Sequence, residues 1–150
     1  MLKHAKPDAS PSLPRLATML AYSGTLPFIA TAVIALHPIG SLDARVIALG
    51  YGAVIASFLC GIHWAVALFF AGRAPHNLLL TSNAVALLVW AALLIPPQAL
   101  TLVLLAICFL YLLVIDRRLR NVDVLPEWFW QVRLRATGIV VLCLTTMILV

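Results

Sequence analysis

Five mainly apolar runs, 16–36, 46–71, 78–95, 99–115 and 136–150, occupy most of this chain. An α-helix rises about 1.5 Å per residue and a hydrocarbon core is about 30 Å thick, so about 20 apolar residues suffice to cross a bilayer. In lipid each backbone N–H and C=O needs a partner, and a helix supplies it within the segment. The predicted fold is an all-α integral membrane protein, a five-transmembrane-helix bundle over 13–150. The polar, Pro- and Ser-rich segment 1–12 is predicted to be a disordered tail. Composition agrees: 64% of residues are hydrophobic and 10% charged, against roughly 45–50% and about 25% in soluble domains.

The breaks between the runs set the topology. Pro96, Pro97 and Gln98 separate the third and fourth, and "GRAPHN" (72–77) separates the second and third, so both pairs are predicted to be antiparallel hairpins. Within the first run, Pro27 lacks the N–H that would reach the carbonyl of Ser23, and Gly24 lies close by, which predicts a kink there. Of the ten cations, Lys3, Lys6, Arg15, Arg73, Arg117, Arg118, Arg120, Arg133 and Arg135 fall on one side of the predicted bundle and Arg45 on the other. By the positive-inside rule the N-terminus is cytoplasmic and the C-terminus is outside. The short leader carries Asp8 and several prolines, unlike a mitochondrial presequence, and a bacterial inner membrane is the better expectation.

The net charge of +5 follows from this topology. No basic face interleaved with aromatics points to nucleic acid; an anionic lipid surface is the natural complement. Cys60, Cys108 and Cys143 are far apart in apolar runs and read as small buried hydrophobes, not as a metal or disulfide set. There is no GxSxG, HExxH, Walker loop, dinucleotide fingerprint or paired carboxylate, so no catalytic residue, metal or cofactor is predicted and an enzyme is disfavoured.

The second run, "AVIASFLCGIHWAVALFF" at 53–70, raises the main question, because His63 stands in it. Ala53, Ser57, Gly61 and Ala65 recur every four residues, the small-xxx-small pattern that lets helices approach closely in lipid. These four are the predicted helix-packing residues, and they make this helix the expected centre of the bundle. His63 falls at the edge of that small side and is predicted to point into protein, where Asn83 or Ser82 on the next helix offers a hydrogen bond. Cofactor contact, with His63, Trp64 and Asn83 as candidates, and proton transfer are the functional alternatives. Proton or ion transport usually needs an intramembrane carboxylate, and Asp116 is placed at the inner boundary, outside every predicted span.

The longest predicted connection, "DRRLRNVDVLPEWFWQVRLR" (116–135), combines aromatic and basic residues. Arg117, Arg118, Trp128, Trp130, Arg133 and Arg135 are predicted to form an anchor at the headgroup boundary.

"YGAVIASFLCGIHW" (51–64) resembles the transmembrane protein 69 family, small membrane domains of bacteria and mitochondria. "YSGTLPF" (22–28), "IDRRL" (115–119) and "LPEWFWQVRLRAT" (125–137) extend the likeness, with Cys60 standing where glycine is expected. The resemblance implies a fold and a membrane location but no activity. The leading functional expectation is an accessory or assembly protein acting through a partner membrane complex or a homo-oligomer. A cofactor- or quinone-binding redox helper using His63 is second, and a small oligomeric transporter or channel is third.

Overall fold

A computed structural model describes residues 12–73, 77–96 and 99–150. Among them the chain is entirely helical: α1 (Ser12–Ser23), α2 (Leu26–Leu36), α3 (Ala44–Phe69), α4 (Leu78–Leu93), α5 (Ala99–Asn121) and α6 (Glu127–Leu149). The run from α1 through α2, together with α3, α5 and α6, gives four helical stretches long and apolar enough to cross a membrane; α4, with 16 residues, is a shorter apolar helix. The segment 1–11, most of the predicted tail, lies outside the described residues, as do 74–76 and 97–98 of the two hairpin turns; Ser12 already belongs to α1.

The kink at Pro27 is present as a break between α1 and α2. Gly24 N–H still donates to Leu20 and Thr25 N–H to Tyr22, while the Tyr51 hydroxyl on α3 donates to the carbonyl of Gly24 at 3.0 Å. A side chain from the neighbouring helix thus meets a carbonyl at the bend. Below the break, Phe28 is fully buried and packs edge-on against Tyr51 (5.2 Å) and Phe109 (5.9 Å).

At the α2–α3 turn Gly40 adopts φ +60, and Asp43 caps α3 by accepting from the N–H groups of Arg45 and Val46. α5 runs past its predicted end to Asn121. It closes in a Schellman motif, with Val124 N–H on Leu119, Asp123 N–H on Arg120 and Asp123 in the left-handed region at φ 56. Val124 also packs on the apolar cluster containing Leu119. Pro126, extended at φ −70 and ψ 151, then starts α6, whose first turn carries Glu127 where the helix dipole favours an anion. The predicted headgroup loop is therefore mostly helix, and the fifth span starts at Glu127 instead of residue 136.

α3 packs on α2, α4 and α5 and touches α6, while α6 packs on α1, α2 and α5, so the two helices share the centre. The buried seams alternate steps of three and four. They comprise Gly52, Ala56, Leu59, His63 and Val66 on α3 and Leu78, Ser82, Val85, Val89 and Ala92 on α4. On α5 the seam runs through Leu102, Leu105, Phe109, Leu112, Asp116 and Leu119; on α6 it runs through Trp130, Arg133, Thr137, Val140, Leu144 and Met147. This is the heptad geometry of aligned helix bundles.

The small-residue stripe does not follow that seam. Ala53 is buried, but Ser57, Gly61 and Ala65 lie on the exposed side of α3. A strict four-residue repeat drifts by about 40° per step around a helix of 3.6 residues per turn, so over three steps the stripe winds off the contact face. The close approach is made by Gly52, where an added Cβ would collide with the Cδ2 of Leu105; at Gly61 the same atom would meet nothing within 4 Å.

Candidate functional site

Three of these seam positions carry ionisable side chains, and they meet. His63 comes from α3, Asp116 from α5 and Arg133 from α6, each between one and two turns from the end of its helix at the Phe69, Asn121 and Glu127 end of the bundle. His63 Nε2 lies 2.8 Å from Asp116 Oδ1, and Arg133 Nε donates to Asp116 Oδ2 at 2.7 Å. The exposures are 1% for His63, 2% for Asp116 and 8% for Arg133. A carboxylate only accepts, so the Nε2 of His63 carries the proton in this arrangement. With a neutral imidazole the network has no net charge: one guanidinium faces one carboxylate, and the imidazole stabilises the carboxylate from its other side.

Burial makes this arrangement sensitive to loss of any member. Removing one partner of a buried pair leaves an uncompensated charge and typically costs about 3–5 kcal/mol, although replacing the whole set by apolar groups of similar shape is often neutral. One turn nearer the bundle end, Val66, Leu78, Ile115 and Leu119 form a separate apolar cluster, joined by Val124 and Leu125 from the α5–α6 turn. Arg117 and Arg118, which follow Asp116 on α5, are exposed.

On its other flank the network borders a cavity of about 370 Å³ walled by α1, α2, α3, α5 and α6. Leu20, Phe28, Phe58, Ile62 and Phe129 make the lining mostly apolar, and Arg133 and Thr137 contribute polar side chains from successive turns of α6. Arg133 Nη2, Thr137 Oγ1 and His63 Nδ1 are buried without a hydrogen-bond partner among the described residues. Thr137 differs from its counterparts: the hydroxyls of Thr18, Thr31, Thr81, Thr145 and Thr146 each donate to the carbonyl four residues back. A volume of this order lies within the usual range for small-molecule pockets, which are mostly apolar with a few convergent polar groups.

The structure revises part of the sequence-based site. His63 is buried as expected, but its partner is Asp116, not Asn83 or Ser82. Asn83 instead accepts from Trp64 Nε1 at 3.2 Å on the exposed side, and the Ser82 hydroxyl returns to the carbonyls of Leu78 and Leu79. Of the predicted headgroup anchors, Arg117, Arg118, Trp128 and Arg135 are exposed, whereas Trp130 and Arg133 are buried on the α6 seam. Asp116 lies inside α5 and is buried on its seam. The three cysteines are buried and form no disulfide. No group of three His, Cys, Asp or Glu among the described residues is placed to hold a metal ion.

The missed residues had a visible signal. Asp116 and Arg133 continue the three-and-four spacing of their helices in register with Leu112 and Leu119, and with Trp130 and Val140. Polarity alone assigns them to a loop.

Fold and site define a class: a small all-helical bundle of membrane-span character with an ionic network buried between three helices. The chain belongs to the family described as "Protein of unknown function (DUF3429)", which it matches over residues 13–149. No curated protein and no solved structure matches it.

Proposed function

We propose that this chain is a membrane-embedded accessory protein that holds a lipophilic small molecule in the cavity between α1, α2, α3, α5 and α6. It would serve a partner membrane complex or a homo-oligomer and catalyse no reaction itself. The observation that carries this reading is the apolar cavity of about 370 Å³ whose wall includes the buried Arg133 and Thr137. A bundle held only by packing has no need of unpartnered donors beside an apolar void, whereas a binding site uses such donors to orient its ligand. The exposed cations Arg15, Arg73, Arg117, Arg118 and Arg135 support a cytoplasmic N-terminus, and a bacterial inner membrane is the proposed location.

Native mass spectrometry of the full chain released from lipid nanodiscs tests the reading. Wild type should retain a lipophile that Ala136→Trp, which fills the cavity from α6, excludes. Equal retention by both proteins, or retention by neither, would overturn it.

Transport has one specific observation in its favour, the buried carboxylate Asp116 next to His63. Proton flux in oriented proteoliposomes that is lost in Asp116→Asn would support that second reading.

A further inference from the structure

With His63 neutral, the cavity offers its occupant two hydrogen-bonding groups and no unbalanced charge. Arg133 spends its Nε on Asp116 and leaves Nη2 without a partner; Thr137, one turn along the same face, has a hydroxyl without a partner. Both residues line the cavity, at 8% and 2% exposure. The guanidinium is already neutralised by the carboxylate 2.7 Å away. An anionic head placed on Nη2 would leave the buried network with a net negative charge, and a cationic head would face the guanidinium itself. Either puts an uncompensated charge in a low-dielectric site. A neutral oxygen acceptor satisfies Nη2 and the Thr137 hydroxyl together and leaves the balance untouched.

We infer that the cavity takes a neutral, oxygen-headed lipophile, its head carbonyl (ketone, ester or quinone type) accepting from Arg133 Nη2 and Thr137 Oγ1 and its hydrocarbon body lying along Leu20, Phe28 and Phe58. This assignment rests on the reading of the cavity as a lipophile site. It gives His63 and Asp116 an indirect part. Asp116 holds the guanidinium by Nε, so that Nη2 is left for the ligand, and His63 holds the opposite carboxylate oxygen.

The test uses the full chain in nanodiscs and four probes with a terminal alkyl diazirine: dodecan-2-one, dodecane, dodecanoate and dodecylamine. Photolabelling is located by peptide mass spectrometry. The ketone should label cavity residues at least about fivefold more than the other three. Thr137→Val, which keeps shape and removes the hydroxyl, should lower ketone labelling by about fivefold, the loss expected for one neutral hydrogen bond. It should leave dodecane labelling unchanged, which also shows that the variant is folded. Arg133→Lys should lower ketone labelling as well, because it keeps the charge but loses the second donor arm. Equal labelling by ketone and dodecane, or an ineffective Thr137→Val, would overturn the head assignment and leave the lipophile site standing. Stronger labelling by dodecanoate or dodecylamine would overturn it in favour of a charged head. Absence of cavity labelling by all four probes would remove the site along with the inference.

Discussion

The two ends of the bundle are held in different ways. At the end where α3 begins, contact depends on shape: Gly52 lets Leu105 approach, Phe28 inserts between Tyr51 and Phe109, and Leu102, Leu144 and Met147 are fully buried. At the end where α3 finishes, the seam positions are filled by His63, Asp116 and Arg133, and contact depends on charge. Lipid tails are as apolar as leucine, so helices in a bilayer gain little from hiding apolar surface and rely on dispersion and polar bonds. Shape tolerates small errors by repacking. A buried charge set tolerates far less, as the proposed presentation of a ligand at this end requires.

The largest effect that would test this contrast is at Asp116. Asp116→Ala leaves Arg133 and His63 buried without an acceptor and should destabilise the protein by about 3–5 kcal/mol, read by thermal or denaturant unfolding in mild detergent. Combining Asp116→Leu with Arg133→Met and His63→Leu should recover most of that loss, since an apolar set of similar volume needs no partners. A triple variant as unstable as Asp116→Ala would mean that the ionic bonds themselves hold this end. Ligand retention should be lost in the triple variant even where stability returns, which separates a role in binding from one in folding.

The same contrast explains what the sequence could disclose. Runs of apolar residues, the Pro27 break and the two hairpins were legible because each depends on neighbours along the chain. The seams continue the three-and-four spacing through polar residues, and hydropathy falls at Asp116 and Arg133, where the apolar pattern stops. Since α5 reaches Asn121 and α6 starts at Glu127, each helix extends beyond its apolar run, and among the charges there Asp116 and Arg133 face inward. The pairing of His63 with Asp116, 53 residues away, is a tertiary fact that no local pattern encodes. The cavity is likewise a product of five elements meeting. The four-residue stripe misled for a geometric reason, because its drift around α3 carries Ser57, Gly61 and Ala65 away from the seam.

The shape-dependent end should respond to volume. Gly52→Val adds atoms where one Cβ already collides with Leu105, itself 1% exposed and surrounded by core. Overpacking of this kind costs typically about 1–3 kcal/mol, smaller than the Asp116 effect because side chains can shift. Gly52→Val with Leu105→Ala should restore part of the loss in a double-mutant cycle, and additivity of the two changes would break the proposed contact.

Tyr51→Phe removes the hydroxyl bonded to the carbonyl of Gly24 and keeps the ring against Phe28. Polar bonds between membrane helices average about 0.6 kcal/mol, and a loss of that order is expected. Because the bend lines the cavity through Leu20, Gly24 and Thr25, hydrogen exchange of the α1–α2 break should accelerate while α5 and α6 remain unchanged.

The smallest effect belongs to Gly61, and it separates the two descriptions of α3 most sharply. If the four-residue stripe packed a helix of the same chain, Gly61→Ala would force that helix away and cost as much as a change at Gly52. The added methyl instead meets nothing within 4 Å, and alanine is favoured over glycine in a helix by about 1 kcal/mol or less. Unfolding of monomeric protein should therefore show no loss, or a gain of a few tenths of a kcal/mol. A destabilisation above about 1 kcal/mol that grows with protein concentration would instead identify the Ser57, Gly61 and Ala65 face as a contact between two copies of the chain, which the isolated bundle leaves exposed.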